Sequence, residues 1–136
     1  MPIDEISISG YKTVARVDCT GSARRDCGAS FLVSQQLLSD VRDPASIKIG
    51  ENEDWVDATV LKLRDVFIAG AYASPGVTIG TIRSFLERCS AEEGRKLILS
   101  DSNHNITEAA NPRFKETVEE FGLKIWNVNV PIPMKI

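Results

Sequence analysis

The segment that most constrains the fold is Arg95-Lys96-Leu97-Ile98-Leu99-Ser100-Asp101-Ser102-Asn103-His104. An apolar run of strand type stops abruptly there and gives way to short polar side chains. Continuous apolar runs are the pattern of buried parallel or central strands, and ligands in open α/β sheets collect outside the carboxyl ends of such strands. Asp101 and Asn103, two residues apart and just past the run, are placed to face a phosphate, a metal ion or a water together. The same two residue types also build Asx turns and helix caps, so a structural role for the pair stands beside the functional one.

Strand-type runs fall near Tyr11 to Asp18, Cys27 to Val33, Ser46 to Ile49, Trp55 to Leu63, Val66 to Ala73, Lys96 to Leu99 and Leu123 to Asn127. Arg64-Asp65 reads as a tight hairpin between two of them, although it lacks the glycine of a favoured turn. Helices alternate with strands only in the second half. Ile79, Ile82, Phe85, Leu86 and Cys89 recur at helical spacing behind Thr78 as a cap. Phe114, Val118 and Phe121 do so behind Asn111-Pro112, with Gly122 as the stop. These stripes are core faces. No repeat, low-complexity tract or linker divides the chain, which reads as one domain over residues 1–136.

At 136 residues, 43% hydrophobic and 26% charged, the chain has enough apolar material for a packed core. Its net charge of -3 argues against strong autonomous binding to nucleic acid, where neutralisation of phosphates by Lys and Arg dominates affinity. Arg16, Arg24 and Arg25 form either a small basic patch or ordinary hairpin-surface charges. Trp55 lies between Asp54 and Asp57, which repel a phosphate backbone, so packing is expected of it rather than base stacking. Cys19, Cys27 and Cys89 fit neither a metal site of C-x-x-C type nor an even disulfide framework, and a reduced, intracellular setting is expected. Neither a secretory signal nor a run long enough to span a membrane is present.

The order of the motifs is more telling than any one of them. Asp65-Val66-Phe67-Ile68-Ala69-Gly70-Ala71-Tyr72-Ala73-Ser74-Pro75 is an apolar strand closing on a Tyr and a Ser-Pro turn. A helix follows, and then the strand that ends at Asp101. This order resembles the endonuclease/exonuclease/phosphatase superfamily of magnesium-dependent phosphodiesterases, in particular its abasic-site endonucleases and the endonuclease domains of non-LTR retrotransposons. The segments Gly10 to Asp18, Arg24 to Val33 and Phe114 to Asn127 are similar to neighbouring parts of the retrotransposon-type domain. Ser100 stands where the family has Gly, and Ser102 where it has an aromatic or Leu that packs beneath the site.

The resemblance implies an α/β fold, a partial four-layered α/β sandwich of two mixed sheets with outer helices. The chain corresponds to the central segment of that domain, truncated at both ends. It implies that Asp101 and Asn103 position water and phosphate, that Tyr72 steadies the phosphate, and that Asp101 holds magnesium weakly. The family's opening-strand Asn and later metal-binding Glu, and its closing Asp and Ser-Asp-His ending with the catalytic His, have no counterpart expected here. His104, the sole histidine, reads as a solvated loop residue.

The expectation is therefore a truncated member that does not cleave alone and serves as a structural or interaction subunit. The alternative is a magnesium-dependent phosphodiesterase or endonuclease completed by a partner chain. A third reading is a binding module that keeps a phosphate or metal pocket without turnover. In each case a protein partner or a second copy is expected to cover exposed sheet edges, with nucleic acid engaged only within such a complex and no membrane involved.

Overall fold

The computed structural model describes residues 8–18, 28–101 and 112–125. In chain order these form β1 (Tyr11–Asp18), β2 (Gly28–Ser34), a 3-10 helix (Gln35–Asp40), β3 (Val41–Glu51), β4 (Asp54–Leu63), β5 (Val66–Ala73), α1 (Ile79–Ser90), β6 (Arg95–Asp101) and α2 (Pro112–Glu120). They fall in two compact units, Met1–Asn103 and His104–Ile136.

In the first unit β1 and β2 pair antiparallel as a two-stranded sheet, and β3-β4-β5-β6 form a mixed four-stranded sheet. β3, β4 and β5 are an antiparallel meander, whereas β6 returns through α1 to lie parallel to β5. The result is a mixed α/β sandwich: the smaller sheet on one face of the larger, α1 on the other.

The pleat of β4 places these layers. A Cβ built at Gly70 would lie 3.3 Å from Phe31 Cζ and 3.5 Å from Thr59 Oγ1, so the Thr59 side of β4 faces the smaller sheet. Lys62 pairs with Glu92 at 3.3 Å, and Glu92 lies just past the end of α1, so the other side of β4 faces the helix. Every residue from Trp55 to Leu61 is consequently buried. The α1 stripe of Ile82, Phe85, Leu86 and Cys89 is buried as well, and burial of a side chain such as Phe85 contributes about 1.5–3 kcal/mol.

β5 alternates, with Phe67, Ala69, Ala71 and Ala73 buried on the helix side and Ile68, Gly70 and Tyr72 half-buried on the other. Gly70 on β5 lets Phe31 approach the sheet closely. β6 ends the sheet among the described residues, and its contacts lie beyond the reach of the smaller sheet, which packs on β3, β4 and β5. Leu97 and Leu99 are accordingly 43% and 54% exposed.

The sequence reading places β1 and β5 at their observed bounds, and it finds α1 with Thr78 as its cap. β3 is longer than the expected Ser46 to Ile49. Asp43, at φ 52°, and Pro44 occupy a bulge between Arg42 and Ala45, which keeps an imide in the strand without losing the ladder. Arg64 takes φ 56° in the β4-β5 turn, a left-handed conformation normally given to glycine or asparagine.

In the second unit α2 begins at Pro112, and Phe114, Thr117 and Val118 are its buried residues. It ends in a Schellman motif: Gly122 has φ 73°, its N–H donates to the Glu119 carbonyl at 2.9 Å, and the Leu123 N–H donates to the Val118 carbonyl at 3.4 Å. The strand expected from Leu123 is not formed over residues 123–125, because the backbone there is spent closing the helix; residues 126–127 lie outside the described residues.

Gly70→Val is expected to destabilise the chain by about 1–3 kcal/mol in urea unfolding, because its added methyl groups meet the Phe31 ring. Gly70→Ala should cost much less, since Phe31 can give by a few tenths of an ångström and the strand loses a flexible glycine. Equal losses for the two variants would remove the Phe31 contact as the cause.

Candidate functional site

Tyr72 stands one residue before the end of β5, and Asp101 is the last residue of β6. In the parallel β5-β6 ladder these two positions are direct partners. The row continues across the sheet, with Tyr72 opposite Asp57 of β4 and Asp57 opposite Lys48 of β3. Two of the three residues singled out from sequence are thus brought to one sheet end, as expected of ligand sites at strand carboxyl ends. Asn103 and His104 lie outside the described residues, as do Arg24, Arg25, Cys19, Cys27 and Trp126.

Trp55 fixes the Tyr72 ring. Their centroids are 5.8 Å apart at an interplanar angle of 33°, within the range of attractive aromatic pairs. Trp55 is 3% exposed, as its acidic neighbours led the sequence reading to expect. Those neighbours are themselves put to use: Asp57 is fully buried, and Asp54 caps a helix.

Ser74 locks the end of β5 to the start of β4. Its Oγ accepts from the Trp55 N–H at 3.0 Å and donates to the Glu53 carbonyl at 2.8 Å, while its own N–H donates to the Trp55 carbonyl at 2.9 Å. The Ser74-Pro75-Gly76-Val77 turn closes with the Val77 N–H on the Ser74 carbonyl at 3.0 Å. Gly76 is required there, since a Cβ would come within 2.8 Å of the Glu53 carbonyl oxygen. The turn that the sequence marks only as Ser-Pro is therefore the clamp that sets Tyr72 and Trp55.

The N-terminus of α1, just beyond this turn, is already occupied by a protein carboxylate. Asp54 accepts from the Thr78 N–H at 2.8 Å and from the Thr78 hydroxyl at 3.0 Å, and the Thr78 Oγ1 accepts from the Thr81 N–H at 3.3 Å. Desolvation pushes the Asp54 carboxyl up, but the hydrogen bonds from Thr78 and Thr81 together hold it below its ordinary value of 3.8. The adjoining hollow, of about 570 Å³, is lined by Glu51, Asn52, Glu53, Asp54 and Gly76 among others, a wall that repels phosphate.

Two buried polar groups under the smaller sheet escaped the sequence reading. Asp57 and Thr59 are both fully buried, and Thr59 Oγ1 makes no hydrogen bond among the described residues. Acidic side chains are rarely buried, and only the covering of both faces of β4 encloses Asp57. Among the described residues no group of three or more His, Cys, Asp or Glu side chains is disposed to hold a metal. Cys89 offers no nucleophile: burial pushes its thiol up to about 11. No described helix is long and apolar enough to cross a membrane.

No protein-family profile, curated protein or solved structure matches the chain.

Ser74→Ala leaves the Trp55 N–H and Glu53 carbonyl without their buried partner and is expected to cost about 1–3 kcal/mol in denaturant unfolding. Asp54 has a lowered carboxyl in the folded chain, so its stabilising effect is present above the unfolded value and is lost as pH falls through the folded one. Asp54→Asn should flatten the loss of stability below about pH 4, measured by thermal unfolding across pH. An unchanged acid limb would remove Asp54 from that role.

Proposed function

We propose that this chain is a subunit built on the endonuclease/exonuclease/phosphatase scaffold, acting as a structural or interaction component and not cleaving nucleic acid as an isolated chain. The observation that carries this reading is the double character of β6. The strand that brings Asp101 into line with Tyr72 is also the terminal strand of its sheet among the described residues, with Leu97 and Leu99 half-exposed on it. Whatever covers that strand also sits beside the candidate site, so site and partner are coupled. Exposed apolar residues on a terminal strand mark an association surface.

The register of Tyr72 with Asp101 favours a second reading, in which a partner completes a magnesium-dependent phosphodiesterase. Tyr72 would then donate its hydroxyl hydrogen bond to a phosphate oxygen, and Asp101 would contribute one carboxylate to the metal. Magnesium binds through few carboxylates and keeps several waters, so one protein carboxylate from this chain is compatible with a shared site. Groups acting as a unit fail together, which is why one chain's share of such a site gives little turnover by itself.

The test is a cleavage assay with magnesium or manganese on plasmid and on an abasic oligonucleotide, run beside Asp101→Ala. The isolated chain is expected to cleave no faster than that variant. Cleavage by the unmodified chain that disappears in Asp101→Ala would replace the subunit reading with the enzymatic one.

A further inference from the structure

β6 carries a sequence that is complementary to itself. Placed antiparallel against a second β6 with Ile98 at the two-fold axis, Arg95 meets Asp101, Lys96 meets Ser100 and Leu97 meets Leu99, each pair occurring twice by symmetry. Residues opposite one another in an antiparallel pair share a face, so the two leucines of each copy form one apolar patch with those of the other, flanked at both ends by an arginine and an aspartate. Shifting the pairing by one residue in either direction destroys this match: one leucine then meets Ile98, the other meets Ser100 or Lys96, and Arg95 no longer meets Asp101.

We infer that a second copy of this chain pairs through β6, joining the two four-stranded sheets into one continuous sheet. This deepens the interaction-subunit reading by naming the partner, and it rests on that reading only for its biological meaning. Three observations point to this occupant. The outer edge of β6 has no strand against it among the described residues. Leu97 and Leu99, 43% and 54% exposed, lie where the smaller sheet does not reach. The charges at the two ends of the strand are opposite, as a two-fold pairing of identical strands requires and as a chance partner does not.

Arg95 is free to take part at little cost. Its present partner is Asp65, at 3.1 Å, and the two side chains are 79% and 73% exposed, so the ion pair is solvent-screened and readily exchanged. Its contact holds the Asp65 carboxyl below the usual range without tying the arginine down. Lys96 donates to the Gly94 carbonyl at 3.1 Å and sits on the α1 side of the sheet, away from the leucine patch. In the pairing, Arg95 of the partner subunit arrives at the strand end where Tyr72 and Asp101 are in register, so each site gains a cation from the other copy.

The experiment is a charge exchange read by native mass measurement over a micromolar concentration series, with circular dichroism to verify folding. The unmodified chain should be a dimer. Arg95→Asp and Asp101→Arg each place like charges opposite one another twice, and each should weaken dimerisation roughly tenfold or more. The double variant Arg95→Asp/Asp101→Arg restores opposite charges and should return the dissociation constant to near that of the unmodified chain. A monomer at every concentration, a dimer indifferent to both single changes, or a double variant no tighter than the singles would overturn the proposal; the monomer would assign β6 to a different polypeptide. These readouts are independent of nuclease activity, so the dimer and the functional reading fail separately.

Discussion

β4 has no solvent face. One side lies under α1 and the other under the β1-β2 sheet, and the rest of the first unit is arranged around that double covering. Because both sides are enclosed, every position from Trp55 to Leu61 must be accommodated, including Asp57 and Thr59. Gly70 of β5 follows from the same requirement, since it admits Phe31 of the smaller sheet. A buried carboxylate is costly unless its surroundings compensate it, so the packing around Asp57 must accommodate it.

The strand ends depend on the same construction. Ser74 spans from β5 back to the first residues of β4, and Asp54 reaches forward from β4 to the start of α1. Two short polar side chains thus hold the strand, the turn and the helix in one arrangement, and the Trp55–Tyr72 ring pair is set between them. Asp54 also occupies the positive end of α1, where it accepts from the Thr78 N–H and hydroxyl.

What was legible from residues follows from how strong the local signals are. β5 lies between a charged turn at Arg64-Asp65 and the Ser74-Pro75 turn, and both bounds are read correctly. β3 is under-read because Asp43-Pro44 is turn chemistry that the chain absorbs as a bulge. Residues 123–125 look like a strand by composition, but the closing of α2 at Gly122 takes their backbone. Of the candidate site, Tyr72 and Asp101 are nameable because each ends an apolar run, and their alignment adds what no single sequence feature contains. Asp57 is not singled out because acidic side chains are rarely buried, and only the covering of both faces of β4 encloses it. The chemistry expected of these residues comes from the order of motifs along the chain.

The parallel pairing of β5 with β6 also differs from the others in the length of chain it closes. β3, β4 and β5 meet through short turns, whereas β6 reaches β5 through the crossover that carries α1. Closing that longer connection carries the greater entropic cost. The alignment of Tyr72 with Asp101 therefore depends on a non-local pairing, while the meander beside it is built from strands adjacent in the chain.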